Sequence, residues 1–205
     1  MVDGIVRAHD LLWIAHHAEL FPEPQPAWVG EALTRMPVTV VRRAEAPPGF
    51  AAVGIRGGSR ELRFAALVKL RDVRHVRTPE SLVAEREWRE SLAAIPASLR
   101  EALALFNELS DREKFVWGPV GSVGYQLATG LLVTTDESDV DVLIRCDVPP
   151  DRSMLSAVRH VARKSIARLD VILEGPPGAV ALEELHAHDL LLKTSRGPRI
   201  AAFTW

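Results

Sequence analysis

Two aspartates stand two positions apart in SDVDVLI, residues 138–144, and a third is set in ARLDVILEG, residues 167–175. A β-strand turns successive side chains to opposite faces. Read as strands, the first stretch sends Asp139 and Asp141 from one face and Val140, Val142 and Ile144 from the other. The second stretch repeats the pattern, with Asp170 opposed to Leu169, Val171 and Leu173. Aspartate is a poor strand former, and like charges side by side on a sheet are destabilising. A solvated strand edge would tolerate the pair. If the two strands are neighbours, three carboxylates gather on one face, and a cation must offset their repulsion. Hard divalent ions such as Mg²⁺ take oxygen ligands and keep positions open for substrate phosphates. The expected metal ligands are therefore Asp139, Asp141 and Asp170.

Upstream, WGPVGSVGYQLATG places Gly121 and Ser122 between a candidate strand and a candidate helix. Free N–H groups at a helix start favour an anion, and glycine lets a phosphate approach the backbone. Alone, Gly-Ser at a helix start is more often a simple cap. The order is more specific: strand, Gly-Ser, helix, D-x-D strand, then a lone aspartate on a later strand. Lys193 and Arg199 in the last segment are either solvated cations or a source of positive charge for the phosphates. Arg42, Arg43, Arg56, Arg60 and Arg63 gather in the first part of the chain, and scattered surface arginines are the simpler reading.

Other reactive residue types are set less tellingly. His16 and His17 are adjacent, and His186 and His188 are two apart, so neither pair shares a helix face in the manner of a zinc site. His9 and Asp10 either reach the site or, in the simpler reading, anchor the N-terminal segment by a structural hydrogen bond. PVGSVGY lacks the G-x-S-x-G turn of a serine hydrolase. Cys146 reads as a small apolar filler, and Trp117 as a core residue or a wall of the site.

The elements that must position these groups alternate in type. PVTVVRRA predicts a strand, and FAAVGIRGGSRELRFAALV predicts two strands joined through Gly57-Gly58. The remainder of this first part reads as extended segments and turns. Thr78 and Pro79 suit the cap and first position of a helix over SLVAEREWRESLAAI. A second helix follows Pro96, with Leu99, Leu103 and Phe106 on one face. Beyond it come a short strand at KFVWG, a short helix closed by Gly130, and the acidic strand. A helix over DRSMLSAVRHVARKS, the Asp170 strand, a helix over AVALEELHAH and a hairpin around Arg196-Gly197 complete the chain. The expected class is α+β, with a strand-rich N-terminal domain over 1–80 and a catalytic domain over 81–205.

Composition sets the outer limits. The 205 residues are 47% hydrophobic and 25% charged, ordinary for a folded protein of one or two domains. A net charge of −2 gives no basic field for a nucleic-acid polymer. One cysteine excludes an internal disulfide and a cysteine-based zinc site. No apolar run reaches the roughly 20 residues of a membrane span, and no secretory leader is evident, so a cytoplasmic location is expected.

The order of the acidic and Gly-Ser segments resembles the nucleotidyltransferase superfamily with a polymerase-β-like core. That likeness implies a mixed sheet with flanking helices, Mg²⁺ on the paired acids, triphosphate at the Gly-Ser turn, and a third acid that helps activate the attacking hydroxyl. The stretch YQLATGLLVTTDE makes the gap from Ser122 to Asp139 longer than the compact superfamily pattern. With RAHDLLWI, VVRRA, VGIRGGSRELRFAALV, VALEEL and LLKTSRGPR added, nearly the whole chain resembles the malonate decarboxylase holo-acyl-carrier-protein synthase family, also called phosphoribosyl-dephospho-CoA transferase. The resemblance implies a substrate, 2′-(5″-triphosphoribosyl)-3′-dephospho-CoA, and a partner, the acyl-carrier subunit of malonate decarboxylase. A serine of that subunit would receive the phosphoribosyl-dephospho-CoA group and pyrophosphate would leave. Gly121, Ser122, Lys193 and Arg199 would then bind substrate, and Asp139, Asp141 and Asp170 would be catalytic. A citrate lyase carrier, which takes the same prosthetic group, is a second conceivable acceptor. The competing enzymatic reading is transfer of AMP from ATP to a protein or small molecule, and the non-enzymatic one is a binding module on the same core.

Overall fold

A computed structural model describes residues 6–59, 61–84, 94–186 and 190–201. The chain divides into two compact units, Met1–Thr78 and Pro79–Trp205. Each has its own hydrophobic core. Together they hold two sheets with helices, an α+β arrangement.

The first unit is built on a six-stranded antiparallel sheet in the order β2-β5-β4-β3-β1-β6. Its strands are β1 (Leu11–Ile14), β2 (Leu20–Phe21), β3 (Val38–Val41), β4 (Phe50–Arg56), β5 (Arg63–Lys69) and β6 (Val73–Arg77). The β4–β5 hairpin follows the alternation in FAAVGIR and RFAALVK, pairing Val53 with Ala66 and Ile55 with Phe64. Helix α1 (Ala27–Arg35) differs from the extended reading of this region. PAWVGEALTR is too short for its period to stand out. Its Val29 is buried with Leu12, Val53 and Val68, so packing decides its form.

In the second unit, six strands lie in the order β12-β11-β10-β9-β8-β7. They are β7 (Trp117–Pro119), β8 (Val140–Arg145), β9 (Leu169–Gly175), β10 (Gly178–Ala181), β11 (Leu190–Thr194) and β12 (Gly197–Ala201). Among the described residues four helices accompany them: α2 (Pro79–Ala84), α3 (Ala97–Glu113), α4 (Gly121–Thr129) and α5 (Arg152–Lys164). The expected helix over SLVAEREWRESLAAI is described only through α2, since residues 85–93 lie outside the described residues. β8 and β9 are parallel, and the other neighbouring pairs are antiparallel. Parallel neighbours need a crossover, and α5 lies in it. Asp151 begins α5 by accepting from the Ser153 N–H at 2.9 Å.

One face of this sheet is apolar. Val140, Val142 and Ile144 of β8 and Leu169, Val171 and Leu173 of β9 are buried there with Leu99, Leu103 and Phe106 of α3 and Val158 of α5. Phe106 lies edge-on to Phe115 and Trp117, at ring distances of 5.7 Å and 4.8 Å. Trp117 is thus a core residue rather than a wall of the site. The helix expected over AVALEELHAH is instead β10 followed by a 3-10 turn, Leu182–His186. The turn Gly175-Pro-Pro-Gly178 folds Val180 back opposite Leu173, and burial of that pair overrides helical propensity.

Candidate functional site

Burial of the alternate residues of β8 and β9 leaves their other side chains on the opposite face. There the parallel register sets Asp141 directly beside Asp170. Asp139 comes one residue before β8, where Val140 N–H bonds the Arg168 carbonyl at 2.8 Å. The three acids thus occupy the same end of two neighbouring strands. Their carboxylates are held differently. Asp170 is met by Arg168, whose Nε donates to Oδ1 at 3.1 Å. No hydrogen bond or ion pair engages the Asp139 carboxylate among the described residues. As placed, no group of three or more His, Cys, Asp or Glu among the described residues is gathered closely enough to hold a metal ion.

Asp141 faces the start of α4. Strand β7 runs antiparallel to β8, pairing Pro119 with Val142. Val120 N–H bonds the Asp141 carbonyl at 2.9 Å, and the chain then turns into α4 at Gly121. Gly121 has φ +62°, and a Cβ there would stand 2.0 Å from Asp141 Oδ2. Both the backbone conformation and the space exclude a side chain. The helix start has no side-chain cap, and an Asp141 oxygen rests against it. This is a place where N–H groups and the helix dipole attract negative charge.

The cations are more dispersed. Lys193 shares the acids' face, because the register runs from Glu174 to Ala179 to Lys193. Glu174 is four residues along β9 from Asp170, and Lys193 is two strands farther across. That places it about 13 Å along and about 10 Å across from the acids. Arg199 pairs with Leu192, so it leaves the opposite face from Lys193, which pairs with Pro198. The hairpin does not bring these two cations together. In the first unit Arg56 and Arg63 are directly opposite on β4 and β5. The Arg42 side chain crosses Gly54 there. Arg60 lies outside the described residues.

Several residues near the acids gave no clear sequence signal. Arg145, on the face of Asp141 and four residues beyond it, donates to both carboxylate oxygens of Glu80 at 2.8 Å. Its Nε reaches Glu174 at 3.0 Å. Only the same alternation that picks out Asp141 and Asp170, continued to Arg145 and Glu174, would have found it. Gln126 of α4 is 2% exposed and spends its amide on the loop that leads to Asp139. The Cys146 thiol is pushed up from 9.0 to about 11, first by burial and then by the Asp147 charge. That suits the filler it was expected to be. Among the described residues no helix is long and apolar enough to cross a membrane.

Comparison with known proteins matches both units. The family model for the phosphoribosyl-dephospho-CoA transferase MdcG N-terminal domain covers residues 7–79, and that for its C-terminal domain covers residues 81–203. A phosphoribosyl-dephospho-CoA transferase from Pseudomonas putida is 39% identical over 201 residues, spanning 97% of this chain and 95% of its own. Proteins of the same name from Pseudomonas syringae pv. tomato and Klebsiella pneumoniae are each 37% identical. They cover 100% and 97% of this chain and 97% and 96% of their own. No solved structure matches. With both units matched and relatives similar end to end, the chain belongs to the phosphoribosyl-dephospho-CoA transferase family.

Proposed function

We propose that this chain attaches the phosphoribosyl-dephospho-CoA group of 2′-(5″-triphosphoribosyl)-3′-dephospho-CoA to a serine of an apo acyl-carrier protein, the carrier subunit of malonate decarboxylase. The observation that carries the reading is the near full-length likeness to relatives named for this transfer. The placement of Asp141 beside Asp170 and against Gly121 supports it. A nucleotidyltransferase-type assignment for the second unit rests on the same features, with a mixed sheet whose parallel strands carry the acids.

In the reaction the serine oxygen bonds the α-phosphorus while the bond from that phosphorus to the bridging oxygen of the pyrophosphate breaks. The serine proton passes to a base, and the electron pair leaves with pyrophosphate. Such a transfer depends on positioning and on charge stabilisation at the phosphates. Asp170 is the candidate base, released from Arg168 as substrate enters. The N–H groups at the start of α4, with Gly121 giving close approach and Ser122 beside it, would cradle the terminal phosphates. Lys193, on the same face but distant, would meet a more remote part of this long substrate.

A divalent ion fits the chemistry of the donors, which are carboxylate oxygens without sulfur or imidazole. Asp139 and Asp141 would hold Mg²⁺, with Asp170 either a further ligand or the base, and the ion would neutralise phosphate charge and steady the leaving group.

The test is a mass measurement. Apo carrier subunit is incubated with the protein, Mg²⁺ and either the triphosphoribosyl substrate or ATP. The expected product is carrier bearing phosphoribosyl-dephospho-CoA, with one pyrophosphate released per modification. Carrier left unmodified, or modified by AMP only, would refute the proposal. A parallel incubation with a citrate lyase carrier measures acceptor preference.

A further inference from the structure

The long loop between the Gly-Ser helix and the acidic strand poses a positional difficulty. Residues 130–139 carry little regular structure, yet they must deliver Asp139 to one place at the end of the sheet. A flexible tether would let its carboxylate wander by more than a metal or phosphate tolerates.

One side chain controls this segment. The Gln126 carboxamide oxygen accepts from Val133 N–H at 2.8 Å, Thr134 N–H at 2.9 Å and the Thr134 hydroxyl at 2.9 Å. Its Nε2 donates to the Ala94 carbonyl at 2.9 Å. Thr134 then runs into a tight turn. Thr135 N–H bonds the Ser138 hydroxyl at 2.9 Å, and Ser138 N–H bonds the Thr135 carbonyl at 3.0 Å. The residue after Ser138 is Asp139, and Val140 begins β8. Gln126 itself is one turn along the helix that starts at Gly121. Hydrogen bonds therefore run from helix α4 to Ser138, the residue before the first acid.

We infer that Gln126 is a positioning residue that locks the 133–138 loop through Val133 and Thr134, and so fixes Asp139 relative to the start of α4. This rests on the proposed role of Asp139. Whatever its task, losing Gln126 strands three donors at once, so stability alone does not identify its role. A positioning amide is identified by a fall in kcat at unchanged KM.

The experiment compares Gln126→Ala, Thr134→Val and Thr134→Ser in the full chain, with Asp139→Asn as reference. Amide exchange of residues 133–134 and urea midpoints are measured without Mg²⁺ or substrate. Carrier modification then gives kcat and KM. Gln126→Ala should speed exchange at Val133 and Thr134 and lower kcat about a hundredfold, the scale of a misplaced catalytic group. KM for the triphosphoribosyl substrate should stay within about twofold, because the site's helix start is untouched. Thr134→Val, which removes one bond and little volume, should lower kcat by about tenfold. Thr134→Ser keeps the hydroxyl and should retain most of the wild-type rate. If Gln126→Ala does not fold, the two Thr134 variants decide between the outcomes. Retained protection at 133–134 in Gln126→Ala, unchanged kcat in the variants, or loss in KM alone would overturn the inference. Asp139→Asn with wild-type turnover would instead remove the role of Asp139 on which it rests.

Discussion

At the scale of single residues, the site turns on how carboxylates are restrained. Asp141 and Asp170 are side by side, one against Gly121 and the other against Arg168. The Arg168–Asp170 contact is exposed, with side chains 72% and 36% accessible. An exposed pair of this kind contributes little stability and is easily exchanged for another partner. Asp139→Asn and Asp141→Asn should each cut transfer at least about 10²-fold, the scale of removing one electrostatic stabiliser. Thermal melting without Mg²⁺ should be unchanged or raised, because like charge is removed. Near wild-type turnover in both would argue against the metal role. Gly121→Ala adds a methyl where Asp141 Oδ2 would be 2.0 Å away, on a backbone at φ +62°. It should displace that carboxylate and abolish transfer, with a stability loss of about 1–3 kcal/mol in urea denaturation. These acids were legible in the sequence because alternation alone separates Asp139 and Asp141 from Val140 and Val142. That Asp141 would face Asp170 was not, since register between distant strands is a property of the assembled sheet.

At the scale of elements, Asp141 and Asp170 lie on the sheet face opposite the one that α3 and α5 cover. Helix α2 is fastened on that face by Arg145, which is bidentate to Glu80 and also bonded to Glu174. The Arg145 side chain is only 7% exposed. Removing one member of a buried charge network leaves the others uncompensated, a loss of about 3–5 kcal/mol. Arg145→Met should show that loss as a lowered urea midpoint. Adding Glu174→Gln should recover part of it, and failure to recover any would show that the network is not the source. Gly118 tells the same story in backbone, for a Cβ there would meet the Pro79 carbonyl carbon at 2.0 Å. The long periodic helices α3 and α5 and the alternating strands were readable locally. Short elements were not. Nine-residue α1 and four-residue β10 take their form from the surfaces they cover, with Val29 and Val180 as the buried anchors. The Gln126 bonds were equally hidden, because nothing in YQLATGLLVTTDE marks which polar side chain turns inward.

At the scale of the whole molecule, two sheets with separate cores carry the two halves of one family pattern, residues 7–79 and 81–203. A global property follows from one titrating group. The Cys146 thiol keeps its proton in the folded state to about pH 11, whereas its ordinary value is 9.0. The unfolded chain therefore releases this proton first as pH rises. The associated stability is present below about pH 9 and is lost as pH climbs toward 11. Urea midpoints at pH 8 and pH 10 should show this decline, and Cys146→Ala should flatten it. The parallel joint of β8 and β9 has a different consequence, one of timing. The β9–β10 and β11–β12 hairpins close over short spans, but Asp141 and Asp170 meet only after the crossover through α5 has been drawn shut. Contacts between distant parts of a chain form slowly, because the loop must close before it is rewarded. The pair of acids is thus expected to form after those two hairpins. A molecule halted short of that step would have its hairpins but not its paired acids.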